Sequence, residues 1–162
     1  MNRSIESVLR FVNLTSAGLL AGSLGFGDSA LTPGAENERP NDYPGEEESQ
    51  SFAPYFSAIG PIALVSAMAL AVGAGNRGRG GKLLDTVSAL GQAGVLATTT
   101  FLTVPLNKKF ETLAPVDYPR SVSHQQLART FNRAHATRTA LGIAAFVCAV
   151  AASALRKTHQ QQ

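Results

Sequence analysis

Four stretches of this chain are almost free of charged residues, and each is long enough to cross a lipid bilayer as a helix. They are residues 8–26, 55–75, 83–104 and 135–155. A bilayer-spanning helix needs roughly 20 mainly apolar residues. A helix at a water-facing surface would carry a polar face, and the second and fourth stretches lack one over most of their length. The sequence therefore predicts an all-α fold: a four-helix transmembrane bundle in a single integral membrane domain.

The average composition hides this pattern. The chain is 44% hydrophobic and 15% charged, as a soluble protein could be. However, six of its 11 acidic residues lie between Glu36 and Glu48, in residues 27–53, which are rich in Gly, Pro, Asn and Ser. Such clusters are typical of loops. We therefore expect a long acidic loop after the first helix.

The other two connections differ from each other. Residues 76–82, NRGRGGK, form a short basic turn, of a length common between paired helices. The third connection follows Pro105 and is longer. Within it, Ser121 or Ser123 could cap a helix that continues into the fourth span. A helical extension is thus predicted before the last transmembrane helix.

Basic residues indicate an orientation. Lys and Arg gather near the N-terminus, in residues 76–82 and near the C-terminus, which lie on one side of a four-span chain. The positive-inside rule then predicts that both termini are cytoplasmic. The third connection is also basic, which weakens this pattern. A net charge of +3 could indicate nucleic-acid binding, but basic residues at span ends are expected to contact anionic lipid headgroups instead. We expect no nucleic-acid partner.

Several polar residues lie within the spans, where they are costly and hence functional candidates. Gln92 lies in the third span, followed by Thr99 and Thr103. The amide could instead bond a neighbouring helix, and the threonines could bond back to their own helix. The single cysteine, Cys148, gives no disulfide framework. No His and carboxylate residues have the spacing of metal ligands, so no metal site is predicted.

Polar groups converge where the third and fourth spans meet. Asn132, His135 and Thr139 share one helical face, Arg138 borders it, and Asn107 ends the preceding span. Imidazole is the natural proton acceptor near neutral pH. A neighbouring cation or amide could stabilise an oxyanion on a phenol or enol substrate. Alternatively, His135 and Arg138 anchor the helix at the headgroups.

Two motifs in this region resemble the anthrone oxygenase family of small four-helix membrane proteins, which includes many bacterial members. The motifs are VPLNKKFETL at 104–113 and FNRAHATRTALGIAAF at 131–146. In the family, a Pro-x-Asn motif closes the third helix. An aromatic residue, then Asn or His, then Arg three residues later opens the fourth. The matching residues here are Pro105, Asn107, Phe131, His135 and Arg138. Phe131 stands where the family usually has Trp.

The resemblance implies that an anthrone-like aromatic polyketide is oxidised to a quinone by O2, without a metal or flavin cofactor. It implies His135 as the base and Arg138 and Asn107 as the groups that stabilise the oxyanion. The residues assigned to substrate binding are Gln92, Thr99, Thr103, Phe131 and Asn132. The expected location is the bacterial inner membrane.

Two other functions stay open: a non-catalytic membrane subunit that binds a partner or lipid, and a protein that binds a quinone or other lipophile without converting it. The catalytic function requires a cavity between the helices that His135 and Arg138 reach. A structural role predicts a dry, well-packed bundle with Arg138 directed at the headgroups.

Overall fold

The structure is a computed structural model that describes residues 2–31, 46–73, 79–112 and 122–160. Within these ranges, side chains are described except at 25–31, 46–54, 107, 110–112, 122–125, 128 and 156–160.

Every described element is a helix. The helices are α1 (Arg3–Leu31), α2 (Glu46–Gly73), α3 (Arg79–Thr98), α4 (Val104–Thr112) and α5 (Val122–Gln160), with a π-helical turn at Thr99–Thr103 between α3 and α4.

Within the described ranges, four segments are long and apolar enough to cross a membrane. They are Arg3–Leu24, Tyr55–Gly73, Arg79–Leu106 and Arg129–Leu155. Each contains most of one stretch identified in the sequence, so the predicted four-helix transmembrane fold is confirmed. The chain reverses direction between successive spans. Because α1 packs on α2 and α5, and α3 packs on the same two helices, the spans form a closed ring.

The helices extend further than the sequence patterns indicated. α1 continues to Leu31 and α2 begins at Glu46, so both ends of the predicted 27–53 loop are helical. Acidic residues favour the first turn of a helix because its free N–H groups carry partial positive charge, which suits a start at Glu46. As predicted, a helix precedes the fourth span and continues into it. α5 has 39 residues and is therefore about 58 Å long, nearly twice the hydrocarbon thickness of about 30 Å.

Pro105 does not end the third helical segment. Its ring cannot donate a backbone hydrogen bond and clashes with the carbonyl four residues back in an α-helix. The π-helical turn lies directly before it, and Val104 N–H donates to the Thr99 carbonyl, five residues back. This wider turn accommodates the proline, so that the chain stays helical to Thr112.

Small residues let the helices approach closely. Among the described side chains, nine of the 14 buried hydrophobic residues are alanines. At Gly91 on α3, a Cβ atom would lie 2.8 Å from the Ala145 Cβ and 3.2 Å from the Leu141 carbonyl oxygen on α5. The outer surface is apolar, with Phe11, Val72 and Phe101 more than 70% exposed. Small residues inside and large apolar residues outside are typical of helices packed in lipid.

Candidate functional site

The site lies on the part of α5 where the helix enters the bundle. His135 and Thr139 are buried, 8% and 5% exposed, and Ala134 beside them is 5% exposed. One helical turn separates His135 from Thr139, and residues at this spacing lie on the same face. The sequence pattern thus places the imidazole in the interior.

Arg138 bonds directly to this imidazole. Its Nη2 lies 2.9 Å from His135 Nδ1, and the three-residue separation makes the two side chains neighbours on the helix. A guanidinium has donors only, so Nδ1 is the acceptor. The ring is therefore neutral in this arrangement, with its proton on Nε2. The guanidinium occupies the lone pair that a general base would use.

Phe131 and Thr139 extend the site above and below the imidazole. The Phe131 ring is stacked on His135, with centroids 6.3 Å apart and planes 10° from parallel. The Thr139 hydroxyl lies 3.5 Å from the Leu24 carbonyl oxygen of α1. These contacts restrict the ring orientation and join α5 to α1.

A small cavity borders Arg138. It has a volume of about 30 Å³, and its lining residues come from all four spans: Leu20, Leu24, Phe56, Gly60, Val95, Leu96, Thr99 and Arg138. This volume holds one or two water-sized molecules, whereas sites for drug-sized ligands have about 300–1,000 Å³. Arg138 thus reaches an interior cavity, but a tricyclic aromatic molecule needs a wider one.

Arg138 has no carboxylate partner among the described residues. The ion pairs described there all involve Arg10, and the hydrogen bond of Arg138 goes to a neutral ring. A half-buried cation in an apolar bundle is unfavourable without an opposite charge. The site is therefore suited to a ligand that brings or develops negative charge.

The three residues of the third span lie at different places. Thr99 lines the cavity, although its hydroxyl donates to the Val95 carbonyl at 2.8 Å. Thr103 is buried, and its hydroxyl lies 3.5 Å from the Thr98 carbonyl oxygen. Gln92 is 1% exposed and does not line the cavity. Thr99 alone of the three is placed at the cavity.

Two further predicted residues are not brought into the described site. Asn132 is exposed, although it shares a helical face with Thr139. Asn107 lies on α4 by its backbone, and its side chain is outside the described part of the structure. The roles predicted for both residues stay predictions.

The sequence pattern did not reveal a second polar cluster, at the opposite end of the bundle. Arg10 of α1 and Asp85 of α3 are 6% and 3% exposed. They form a bidentate ion pair, with Nη2–Oδ2 at 3.0 Å and Nη1–Oδ1 at 3.3 Å. Arg10 Nη1 also donates to Ser153 Oγ at 3.4 Å, and its Nε lies 3.5 Å from Glu6 Oε1. This cluster joins three helices.

A signal for this pair was present in the sequence. Arg10 and Asp85 each lie about two turns from the start of their helices. The helices α1 and α3 run in the same direction, because both contact α5 in the antiparallel sense. Opposite charges at the same depth of two parallel spans are expected to pair.

Among the described residues, no group of three His, Cys, Asp or Glu side chains could hold a metal ion. Cys148 is half-buried on α5.

The chain was compared with known protein families, curated proteins and solved structures. The family model described as anthrone oxygenase matches residues 51–148, more than half of the 162 residues. The matched range covers α3, α4 and the site on α5. No curated protein and no solved structure matches.

Proposed function

This chain belongs to the anthrone oxygenase family, and on that premise we propose that it oxidises an anthrone-like aromatic substrate to a quinone with O2 at the His135–Arg138 pair. The observation that carries the proposal is the half-buried Arg138, which lacks a carboxylate partner among the described residues and bonds a buried imidazole. Once Arg138 moves from His135 Nδ1 to a substrate oxygen, the pair would supply a base and an anion-stabilising group at one place.

The first step is a proton transfer. The doubly benzylic C–H of an anthrone is acidic because the resulting carbanion is an aromatic enolate. In the described arrangement Arg138 holds His135 Nδ1. The developing enolate oxygen competes for the guanidinium, because a charged acceptor forms the stronger hydrogen bond. Transfer of Arg138 to this oxygen releases Nδ1 to accept the proton.

The oxygen steps follow from the electron-rich enolate. One electron passes from the enolate to O2, and the radical and superoxide join to form a C–O bond. The peroxide anion takes the proton from the imidazolium. Neutral His135 then removes the second hydrogen from the same carbon, the O–O bond breaks, and the hydroxide that leaves takes that proton to become water. Anthrone and O2 thus give anthraquinone and water, with His135 returned to its starting state.

Arg138 remains on the substrate oxygen through these steps. Fixed donors directed at developing charge typically contribute about 100–1,000-fold to the rate. The 30 Å³ cavity has room for a diatomic molecule such as O2. Binding of the aromatic substrate requires the helices around this cavity to separate, and Phe56 and Leu96 are among the side chains that line it.

We propose that the protein lies in a bacterial inner membrane with both termini cytoplasmic. The Lys and Arg residues at both termini and in residues 76–82 support this orientation. The His135 site would then lie nearer the outer face, and a lipophilic substrate would reach it from the bilayer.

A second function is supported by the hydrogen bond itself. While Arg138 occupies Nδ1, the imidazole offers no base, and the pair presents only donors. Donors suit the carbonyl oxygens of a quinone that is bound and not converted. A quinone-binding membrane protein is therefore the alternative.

The test is anthrone oxidation by the purified protein in lipid nanodiscs, followed by anthraquinone absorbance. We expect His135→Ala to lower kcat/KM by about 100–10,000-fold, the usual contribution of a general base. Thr137→Ala is the matched control, since Thr137 is exposed on the same helix and its hydroxyl bonds only its own backbone. Full activity in His135→Ala would contradict the proposed base. Wild-type protein that copurifies with a quinone, identified by mass spectrometry, and has no oxidase activity would establish the alternative.

A further inference from the structure

Two buried polar side chains of α3, Ser88 and Gln92, have no hydrogen-bond partner among the described residues. We propose that they form an internal water site, which extends the Arg10–Asp85 cluster into the middle of the bundle. This site is separate from the oxidation chemistry proposed for His135.

Ser88 differs from the other buried hydroxyl groups in how it bonds. Ser16 and Ser66, which are also buried, each donate to the carbonyl four residues back, at 2.7 Å in both cases. This local bond is the usual way in which a serine satisfies its hydroxyl group within an apolar helix. Ser88 is 2% exposed, and its Oγ makes no such bond. Its hydroxyl group therefore remains available to a group in the interior.

Gln92 lies one turn further along the same face. It is 1% exposed, and neither Oε1 nor Nε2 has a partner in the described part of the chain. Side chains four residues apart on a helix are neighbours, yet Gln92 and Ser88 do not bond each other. Two neighbouring polar groups that do not bond each other directly are commonly bridged by water.

The free-energy cost of leaving these buried polar atoms without a partner favours a bound water. An unsatisfied polar group in the hydrocarbon region costs several kcal/mol, and here three atoms share that condition: Ser88 Oγ, Gln92 Oε1 and Gln92 Nε2. The ligand must donate to one atom, accept from another and be small and neutral. Water meets these requirements.

The site continues from a charged cluster. Asp85, Ser88 and Gln92 are buried on one face of α3, and Asp85 bonds Arg10. Seven residues of helix advance about 10 Å. Water at Ser88 and Gln92 would therefore extend the polar region about 10 Å inward from the ion pair. We expect hydrogen exchange with solvent to reach this depth without unfolding.

The experiment uses the S–H stretching band of a single cysteine in the infrared spectrum. In a Cys148→Ala background, Ser88→Cys places a thiol at the site, and Ser16→Cys is the matched control. Ser16 is more exposed than Ser88, 6% against 2%, but bonds its own helix. Size-exclusion chromatography first checks that each protein elutes as a folded species. Each protein in lipid nanodiscs is then transferred to D2O.

We expect the band of Ser88→Cys to shift from S–H to S–D before the first spectrum, and that of Ser16→Cys to shift only as slowly as the protected backbone amides of the spans. Adding Gln92→Leu to Ser88→Cys should slow the hydrogen exchange of its thiol to the rate of the control. Equal thiol exchange rates in Ser88→Cys and Ser16→Cys, whether fast or slow, would overturn the proposal. An exchange rate unchanged by Gln92→Leu would also overturn it.

Discussion

The two ends of the bundle interior each contain an arginine, and the two arginines differ in what they bond. Arg10 is held by the carboxylate of Asp85 in a bidentate pair. Arg138 bonds a neutral imidazole and has no carboxylate partner among the described residues. A cation matched by a fixed opposite charge stabilises the fold. A cation without one is available to an anion that arrives with a ligand. The first cluster is therefore structural and the second is the candidate site.

The largest change in stability should follow from breaking the Arg10–Asp85 ion pair. Asp85→Ala leaves Arg10 buried without its bidentate partner, and we expect the free energy of unfolding to fall by about 3–5 kcal/mol. Unfolding in mixed micelles with increasing SDS, followed by circular dichroism, measures this change. The double variant Arg10→Met/Asp85→Leu is the control and should be near wild-type stability, because replacing both charges by apolar groups is often neutral or stabilising. A loss below about 1 kcal/mol in Asp85→Ala would contradict a structural role.

At Arg138 we expect a loss of activity without a loss of stability. Arg138→Met removes a cation for which the described part of the chain provides no counter-charge, so the free energy of unfolding should stay the same or rise. Activity should fall about 100–1,000-fold in kcat/KM, since the oxyanion loses its donor. Arg133→Met is the matched control, because Arg133 is exposed on the same helix. Loss of stability in Arg138→Met as large as in Asp85→Ala would remove the distinction between the two ends.

A smaller effect is expected midway between the clusters, where α3 contacts α5. Gly91→Ala brings a Cβ to 2.8 Å from the Ala145 Cβ, and overpacking of this kind typically costs about 1–3 kcal/mol. Gly22→Ala is the control, because its added Cβ meets no atom within 4 Å. The same SDS titration should show a loss for Gly91→Ala alone. If Gly91→Ala lowers both stability and activity, the two ends depend on one shared helix contact.

Local patterns in the sequence predicted much of this structure. The four spans follow from long apolar stretches, and the proximity of His135 and Arg138 follows from their three-residue separation on one helix. Shared periodicity did not ensure burial. Asn132 has the same helical face as Thr139 but is exposed, whereas Thr139 is buried.

Features that depend on contacts between distant segments were missed. The Arg10–Asp85 pair joins residues 75 positions apart, and its formation depends on the relative depth of two helices. The π-helical turn at Thr99–Thr103 depends on how the backbone accommodates Pro105 and has no residue signature of its own. Whether a described side chain or backbone group bonds Ser88 and Gln92 likewise depends on which groups the other helices bring near them.

Arg138 is expected to be available to an anionic ligand oxygen. A hydroxyanthraquinone bound to the wild-type protein in nanodiscs tests it directly, because ionisation of the phenol produces a separate visible absorption band. We predict that this band appears at lower pH for the probe bound to wild type than for the probe bound to Arg138→Met, with Arg133→Met the same as wild type. Identical titrations for wild type and Arg138→Met, with the probe bound to both, would contradict the claim.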